Sequence, residues 1–339
     1  MFSLDDKCTK KISLDKLLPI WLTNYKREWI YGDFIAGIIV TIMLIPQSLA
    51  YALLAGLPAE VGLYASILPM IAYAFLGTSM TLAVGPVAVI SLMTASALAP
   101  LALAGSDLYL ILAVQLAFLS GVIYFAFGFL KFGFLAHLLS HPVISGFISG
   151  SAILISISQF KNILGVKVPS SNAFDTLSAL WVAMPQSNTT SVIIGLSAIA
   201  FLYIAKMKLS DFLFKLGVLQ HHADLIGKLA PMFVVVIFTL VTWKFDLHAR
   251  NGLSIVGYVP SGIPTVKYSL PSWDIVQSLW LPALLISVVG FVESVSVGQS
   301  LAMKRQQRIN PDRELLGLGA ANLVSAFSGG YPVTGGFAR

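Results

Sequence analysis

Charged residues are absent from long blocks of this chain. Uncharged runs cover residues 34–59, 61–106, 108–130, 142–160 and 176–205, and the run 275–303 is broken only by Glu293. An α-helix needs about 20 apolar residues to cross a bilayer, so each run has spanning length; 229–243 is shorter but still apolar. The polar positions between the runs are of the kind that ends one helix and starts another: Pro58-Ala59-Glu60, Gly77-Thr78-Ser79, Gly105-Ser106-Asp107 and Asn310-Pro311-Asp312. The pattern predicts a polar N-terminal segment to about Trp29. Helices follow near 34–54, 61–76, 86–100, 108–130, 142–160, 188–205, 229–243, 275–302 and 314–328, with a tenth opening near Gly335. The stretch 244–272 holds Pro260, Pro264, Pro271 and several glycines, so an irregular extracellular loop is expected there.

The run 61–106 contains Gly85-Pro86-Val87-Ala88-Val89-Ile90-Ser91. A Gly-Pro pair at membrane depth leaves backbone groups unpaired, which is tolerated only where that backbone is buried in protein or lines a polar cavity. Proline suits the first position of a helix, so Pro86 predicts a half-helix opened by Val87 and Ala88, its free N–H groups and positive dipole end pointing into the membrane. Such a terminus is an anion site made of backbone.

Composition places the whole chain in a bilayer: 57% apolar and 11% charged residues, with a mean hydropathy of +0.86, describe an all-α polytopic membrane protein. Cys8 stands alone, so no intrachain disulfide is possible, and the polar first residues argue against a cleavable signal peptide. If the N-terminus is cytoplasmic, inside segments carry Lys7, Lys10, Lys11, Lys16, Lys26, Arg27, Lys206, Lys208, Lys215, Lys304, Arg305 and Arg308 among others. Outside segments then carry only Lys161, Lys167, Lys244, Arg250 and Lys267. This bias orients a multi-pass protein of the plasma (inner) membrane with its N-terminus in the cytoplasm. It also accounts for the net charge of +6 through topology and anionic headgroups; there is no basic face with interleaved aromatics for a nucleic acid.

An internal repeat is faint but ordered. Ile45-Pro46-Gln47-Ser48-Leu49-Ala50 precedes a helix with Gly62-Leu63-Tyr64-Ala65 and then the break at Gly85-Pro86. Glu293 and Gln299-Ser300-Leu301-Ala302 precede a helix with Gly317-Leu318-Gly319-Ala320 and then a second break at Gly335-Gly336. The charge bias runs the first long helix outward and the second inward, which is the signature of an inverted-repeat transporter.

Several motifs carry a family resemblance. Ile45 to Ala52, Gly62-Leu63-Tyr64, Gly77-Thr78-Ser79, Gly85 to Met93, His141 to Phe147, Asn310-Pro311-Asp312-Arg313-Glu314-Leu315 and Thr334 to Arg339 resemble the sulfate permease (SulP) family of anion transporters. The resemblance implies a seven-plus-seven inverted-repeat fold whose third and tenth spans are discontinuous half-helices. A substrate-carrying core domain moves against a gate domain, usually in a homodimer. On that fold, 1–30 is a cytoplasmic segment, 31–130 the first core repeat, 131–272 the first gate repeat and 273–339 an incomplete second core repeat. Family members continue through four more helices and usually a STAS domain, so the chain is expected to be truncated.

The candidate site residues follow. Gln47 is a strong polar group in an otherwise apolar helix, able to donate to an anion without burying a charge; a packing glutamine is the alternative. Tyr51, four residues on, shares its face as a second site residue or an ordinary packing aromatic. Family resemblance puts both in the anion site. Val87 and Ala88 at one half-helix, and Gly336, Phe337 and Ala338 at the other, would present N–H groups to the substrate. A cation at the midplane costs about 2.5–3.5 kcal/mol, so Arg339 is read either as attracting the anion or as pairing Glu293. Glu293 is read as neutralised by Arg339 or as taking up a proton with the anion; the resemblance implies proton or sodium coupling, for which Ser294 and Ser296 are further oxygen donors.

Other constellations are weaker. His221-His222 with Asp224 lacks metal-ligand spacing, His137 and His141 flank a helix start, and Asn188-Thr189-Thr190 matches a glycosylation sequon. The glycines of Gly317-Leu318-Gly319 are read as helix-packing positions. No cofactor, metal or catalytic residue is expected. The reading is a secondary transporter of inorganic anions, whether sulfate-type oxyanion, bicarbonate or chloride, working by alternating access, with proton or sodium symport implied by the resemblance. A nucleobase permease of the same general fold is the alternative within transport; an intramembrane enzyme lacks any nucleophile and base constellation.

Overall fold

The structure is a computed structural model that describes residues 25–134, 141–166, 168, 173–215, 217, 219–220, 223, 226–227, 229–257, 262, 271–305 and 309–336. In chain order its elements are α1 (Trp29–Leu54), α2 (Ala59–Leu76), β1 (Val84–Gly85), α3 (Ala88–Leu98) and α4 (Asp107–Phe129). They continue with α5 (His141–Leu164), α6 (Ala173–Ala183), α7 (Thr189–Ile204), α8 (Ser210–Lys215), α9 (Ala230–Lys244) and α10 (Leu247–Asn251). The last are α11 (Trp273–Arg305), α12 (Pro311–Phe327) and β2 (Thr334–Gly335). Among the described residues, α1, α2, α4, the continuous Thr189–Lys215 and Trp273–Met303 are long and apolar enough to cross a membrane.

Helix starts follow local chemistry. Asn310 Oδ1 accepts from the N–H groups of Asp312 (3.0 Å) and Arg313 (3.3 Å), with Pro311 inside the start and Asp312 and Glu314 in the first turn. Ser106 caps α4 through Tyr109 N, and Asn188 caps α7 through Thr190 N and Ser191 N. Two expectations change and one helix is added. The helix expected near 188–205 is α7, and the uncharged run before it holds most of a further helix, α6, which ends at the 3₁₀ turn containing Pro185. The stretch 244–272 is not wholly irregular: it holds α10, closed by Gly252 in the left-handed region. The helix expected from 314 starts at Pro311.

The best-packed part consists of α1–α4, α11 and α12. Its core includes Val61, Tyr73, Leu112, Leu116, Leu279, Ile286, Phe291, Leu315 and Leu318, and α12 packs on both α2 and α4. Small residues set the helix spacing. A Cβ on Gly317 would come within 2.9 Å of the Gly77 Cα, and one on Gly319 within 2.9 Å of Phe125, which agrees with the packing role expected of this pair. The tightest approach joins α1 and α2, where a Cβ on Gly62 would lie 2.0 Å from the Ser48 carbonyl oxygen. Ser66 Oγ meets Ser48 Oγ at 2.7 Å beside it. Gly62→Ala is therefore expected to push these helices apart and lower stability by about 1–3 kcal/mol, measurable as a lower melting temperature in detergent; an unchanged melting temperature would contradict the packing.

The order long helix, second helix, two-residue strand occurs twice: α1-α2-β1 and α11-α12-β2. The two strands pair antiparallel, Val84 opposite Gly335 and Gly85 opposite Thr334.

Candidate functional site

The strand pair is where the two chain breaks meet. After β1 the backbone stays extended through Val87 (φ −132°, ψ 145°), and α3 opens at Ala88. Pro86 is thus not the first helical residue, as expected, but precedes the N-cap, because pairing with β2 holds the chain extended before it can coil. Ser91 N makes the first helical bond, to Val87 O at 2.9 Å, so the N–H groups of Ala88, Val89 and Ile90 lie ahead of it. Val87 and Ala88 are buried, yet no side chain caps this start. With 11 residues, α3 is about 16 Å long, half of a hydrocarbon core of about 30 Å.

Two long helices pack on this half-helix. Both α1, carrying Gln47 and Tyr51, and α11, carrying Glu293, pack on α3. Gln47 Nε2 donates to Tyr51 Oη at 3.0 Å, so the two candidates share a face. Because the tyrosine oxygen receives this bond, its own proton is directed to another acceptor. Glu293 is 6% exposed on α11. Gly336 is buried beside Val87, 2.9 Å from where its Cβ would stand. Phe337, Ala338 and Arg339 lie outside the described residues, and so do His137, His221, His222 and Asp224.

The second arm is held by side chains that the pattern of runs did not single out. Asn322 of α12 grips Val333 on both sides, its Nδ2 donating to Val333 O (2.8 Å) and its Oδ1 accepting from Val333 N (3.0 Å). Ser325 Oγ donates to Tyr331 O at 2.7 Å, and the Tyr331 hydroxyl meets Ser91 Oγ of α3 at 2.9 Å. Thr334 Oγ1 and Ser294 Oγ are 2.7 Å apart, and Gly335 N donates to Ser294 Oγ at 2.8 Å. Ser294, read above as a possible sodium ligand, is engaged in holding the backbone; Ser296 donates to Val292 O of its own helix.

Glu293 is not the most deeply buried carboxylate. Glu314, in the first turn of α12, is 1% exposed and accepts from Tyr73 Oη, Thr78 Oγ1, Thr78 N (2.7 Å) and Ser79 N (3.1 Å). Asp312 Oδ1 accepts from Gly133 N at 2.8 Å, and Asn310 N donates to Thr78 Oγ1 at 3.2 Å. Asn310-Pro311-Asp312-Arg313-Glu314 is therefore a clasp joining the start of α12 to the ends of α2 and α4. The signal was a cluster of polar residues in first-turn positions, which sequence reading took for ordinary capping. The sequon asparagine is likewise engaged: Asn188 Nδ2 donates to Asn251 O at 2.6 Å while Oδ1 caps α7.

Residues 30–339 match the sulfate permease family. The chain belongs to that family. As a family member it is 35% identical to sulfate transporter 4.1, chloroplastic, of Arabidopsis thaliana, over 96% of this chain and 46% of that protein. It is 34% identical to a probable sulfate transporter of Mycobacterium tuberculosis, over 93% of this chain and 53% of that one. The chain spans about half the length of these relatives. Among solved structures it resembles the transporter SLC26A9, with a TM-score of 0.83 at 28% identity, over 95% of this chain and 52% of that one. The transmembrane domain of the cyanobacterial bicarbonate transporter BicA shares the fold, with a TM-score of 0.74 at 22% identity over 92% of this chain and 76% of that one. This family member is a mostly helical, multi-pass membrane protein with the fold of anion transporters.

Proposed function

We propose that this protein carries inorganic anions, a sulfate-type oxyanion or bicarbonate or chloride, across its membrane by alternating access. One observation carries the reading: the antiparallel β1–β2 pair sets the uncapped, buried start of α3 beside the Gly335-Gly336 break, with α1 and α11 both packed on α3. Backbone N–H groups at such a start favour negative charge. Antiparallel pairing is also how two-fold-related strands meet, which supports the inverted repeat. On this reading Gln47, Tyr51, Val87, Ala88, Gly336, Phe337, Ala338 and Arg339 surround the anion and Glu293 couples its movement to a proton or sodium ion. Residues 31–130 with 273–339 form the moving core, 131–272 belong to the gate, and two copies form the transporting dimer. The charge bias supports a cytoplasmic N-terminus.

The test is uptake by the full-length protein in proteoliposomes, with sulfate, bicarbonate, chloride and uracil in competition at controlled pH and sodium. Anion uptake that uracil does not inhibit is expected; uracil uptake without anion uptake overturns the proposal. Within it, Gln47→Ala is expected to weaken equilibrium anion binding by about 1.5–3 kcal/mol, the worth of one hydrogen bond to a charge. An unchanged dissociation constant removes Gln47 from the site.

A further inference from the structure

The two arms that meet at the strand pair are held differently. In the pairing, Val84 opposes Gly335 and Gly85 opposes Thr334, so Val84 is the positional counterpart of Thr334. Val84 is buried and purely apolar, so its side chain adds packing to the strand pairing and no hydrogen bond. On the second arm the same position carries a hydroxyl, and that hydroxyl belongs to a chain of bonds whose direction can be worked out.

Thr334 Oγ1 donates to Gly290 O at 2.7 Å. A hydroxyl has one proton, so in its contact with Ser294 Oγ at 2.7 Å Thr334 must accept and Ser294 must donate. Ser294 Oγ in turn accepts from Gly335 N at 2.8 Å. The relay runs in one direction, from Gly335 N–H to Ser294 to Thr334 to the Gly290 carbonyl. Thr334 and Ser294 are both fully buried. Gly290 has to be bare for this to fit, since a Cβ there would lie 3.1 Å from Thr334 Oγ1 and 2.3 Å from Tyr124 Oη. The relay spends the Gly335 N–H on α11, so this donor is held by the protein and is not open to a ligand.

Resting on the anion site proposed above, we infer that Ser294 and Thr334 are positioning residues that lock the second arm to α11 and thereby aim its backbone donors at the anion. Ser294 directly follows Glu293 in the chain, so the helix that carries the carboxylate is the helix that holds the donors. A displacement of α11 is transmitted to the second arm through three short bonds, whereas among the described residues no side-chain bond ties Val84 of the first arm to α1.

The experiment uses the full-length protein in detergent and in proteoliposomes, with sulfate, bicarbonate and chloride as probes. Thr334→Val keeps shape and removes both hydrogen-bonding roles; Thr334→Ser keeps the hydroxyl. Amide exchange across 333–336, read by mass spectrometry without ligand, reports the lock itself. Thr334→Val and Ser294→Ala are each expected to speed exchange there and to weaken anion binding about tenfold. The double variant should be no worse than either single one, because both residues act in one relay, and Thr334→Ser should restore wild-type affinity. Folded Thr334→Val protein with wild-type exchange and affinity overturns the inference, as does additivity of the two changes. If Thr334→Val does not accumulate, Ser294→Ala decides, because it leaves the Thr334–Gly290 bond in place. If wild-type protein binds none of the three anions, the anion-site reading fails, and the exchange measurement still judges the lock.

Discussion

Glu293→Gln is expected to abolish uptake driven by an inward pH gradient while leaving anion binding and anion-for-anion exchange close to wild type. The carboxylate is almost fully buried on the helix that packs against α3. An ionised group there would repel an arriving anion, so a proton taken up with the anion removes the repulsion and links the two fluxes. Glutamine mimics the protonated carboxyl: the site stays neutral and able to bind, but there is no proton left to release. A purely structural Glu293 paired with Arg339 gives a different result, since the amide leaves a buried charge unmatched. Breaking such a pair costs about 3–5 kcal/mol and would show as less folded protein in the membrane. Folded yield, exchange and gradient-driven uptake measured on this one variant separate the roles, and intact gradient-driven uptake would falsify proton coupling.

The second large effect is expected at the clasp. Glu314→Ala takes away the acceptor used by Tyr73, both Thr78 donors and Ser79 N, leaving the buried Tyr73 hydroxyl stranded and the half-buried Thr78 and Ser79 donors to water. A stranded buried donor costs about 1–3 kcal/mol, which applies in full to Tyr73 and in part to the half-buried donors, so a loss of about 3 kcal/mol is expected, enough to lower the melting temperature in detergent. Glu314→Gln should fall between, because its amide oxygen still accepts. Adding Tyr73→Phe to Glu314→Ala should cost little more, since that donor has already lost its acceptor. A melting temperature near wild type for Glu314→Ala would show that the clasp is not what holds α12 to α2.

Features encoded by neighbours in sequence were legible in advance. The uncharged runs located the spanning helices, and the spacing of Gln47 and Tyr51 put them on one face, where they are bonded. Gly85-Pro86 announced a break. The start of α3 fell two residues later than the helix expected from Pro86, because the strand that delays it pairs with residues some 250 positions away, which no local rule contains. Glu314 was missed for the same reason. Its acidic first-turn position looks like ordinary helix capping, and only the return of α2 to the same corner makes it a buried acceptor. Ser294 and Thr334 were equally hidden, since hydroxyls are common in apolar helices and only their juxtaposition gives them a shared direction. Pro185 and Asn188, by contrast, were visible markers of a helix boundary within a run defined by missing charges.

The clasp also fixes an order of events during synthesis. Tyr73 and Glu314 are 241 residues apart, and ribosomes add roughly 5–20 residues per second, so α2 waits on the order of 12–48 s for its carboxylate to be made. Throughout that interval the Tyr73 hydroxyl and the amides of Thr78 and Ser79 have no native acceptor. The end of α2 must then remain hydrated at the membrane edge, or be shielded by an insertion factor, until α12 arrives. A ribosome stalled before Glu314 would leave these three donors at the end of α2 without the acceptor that holds them in the folded protein.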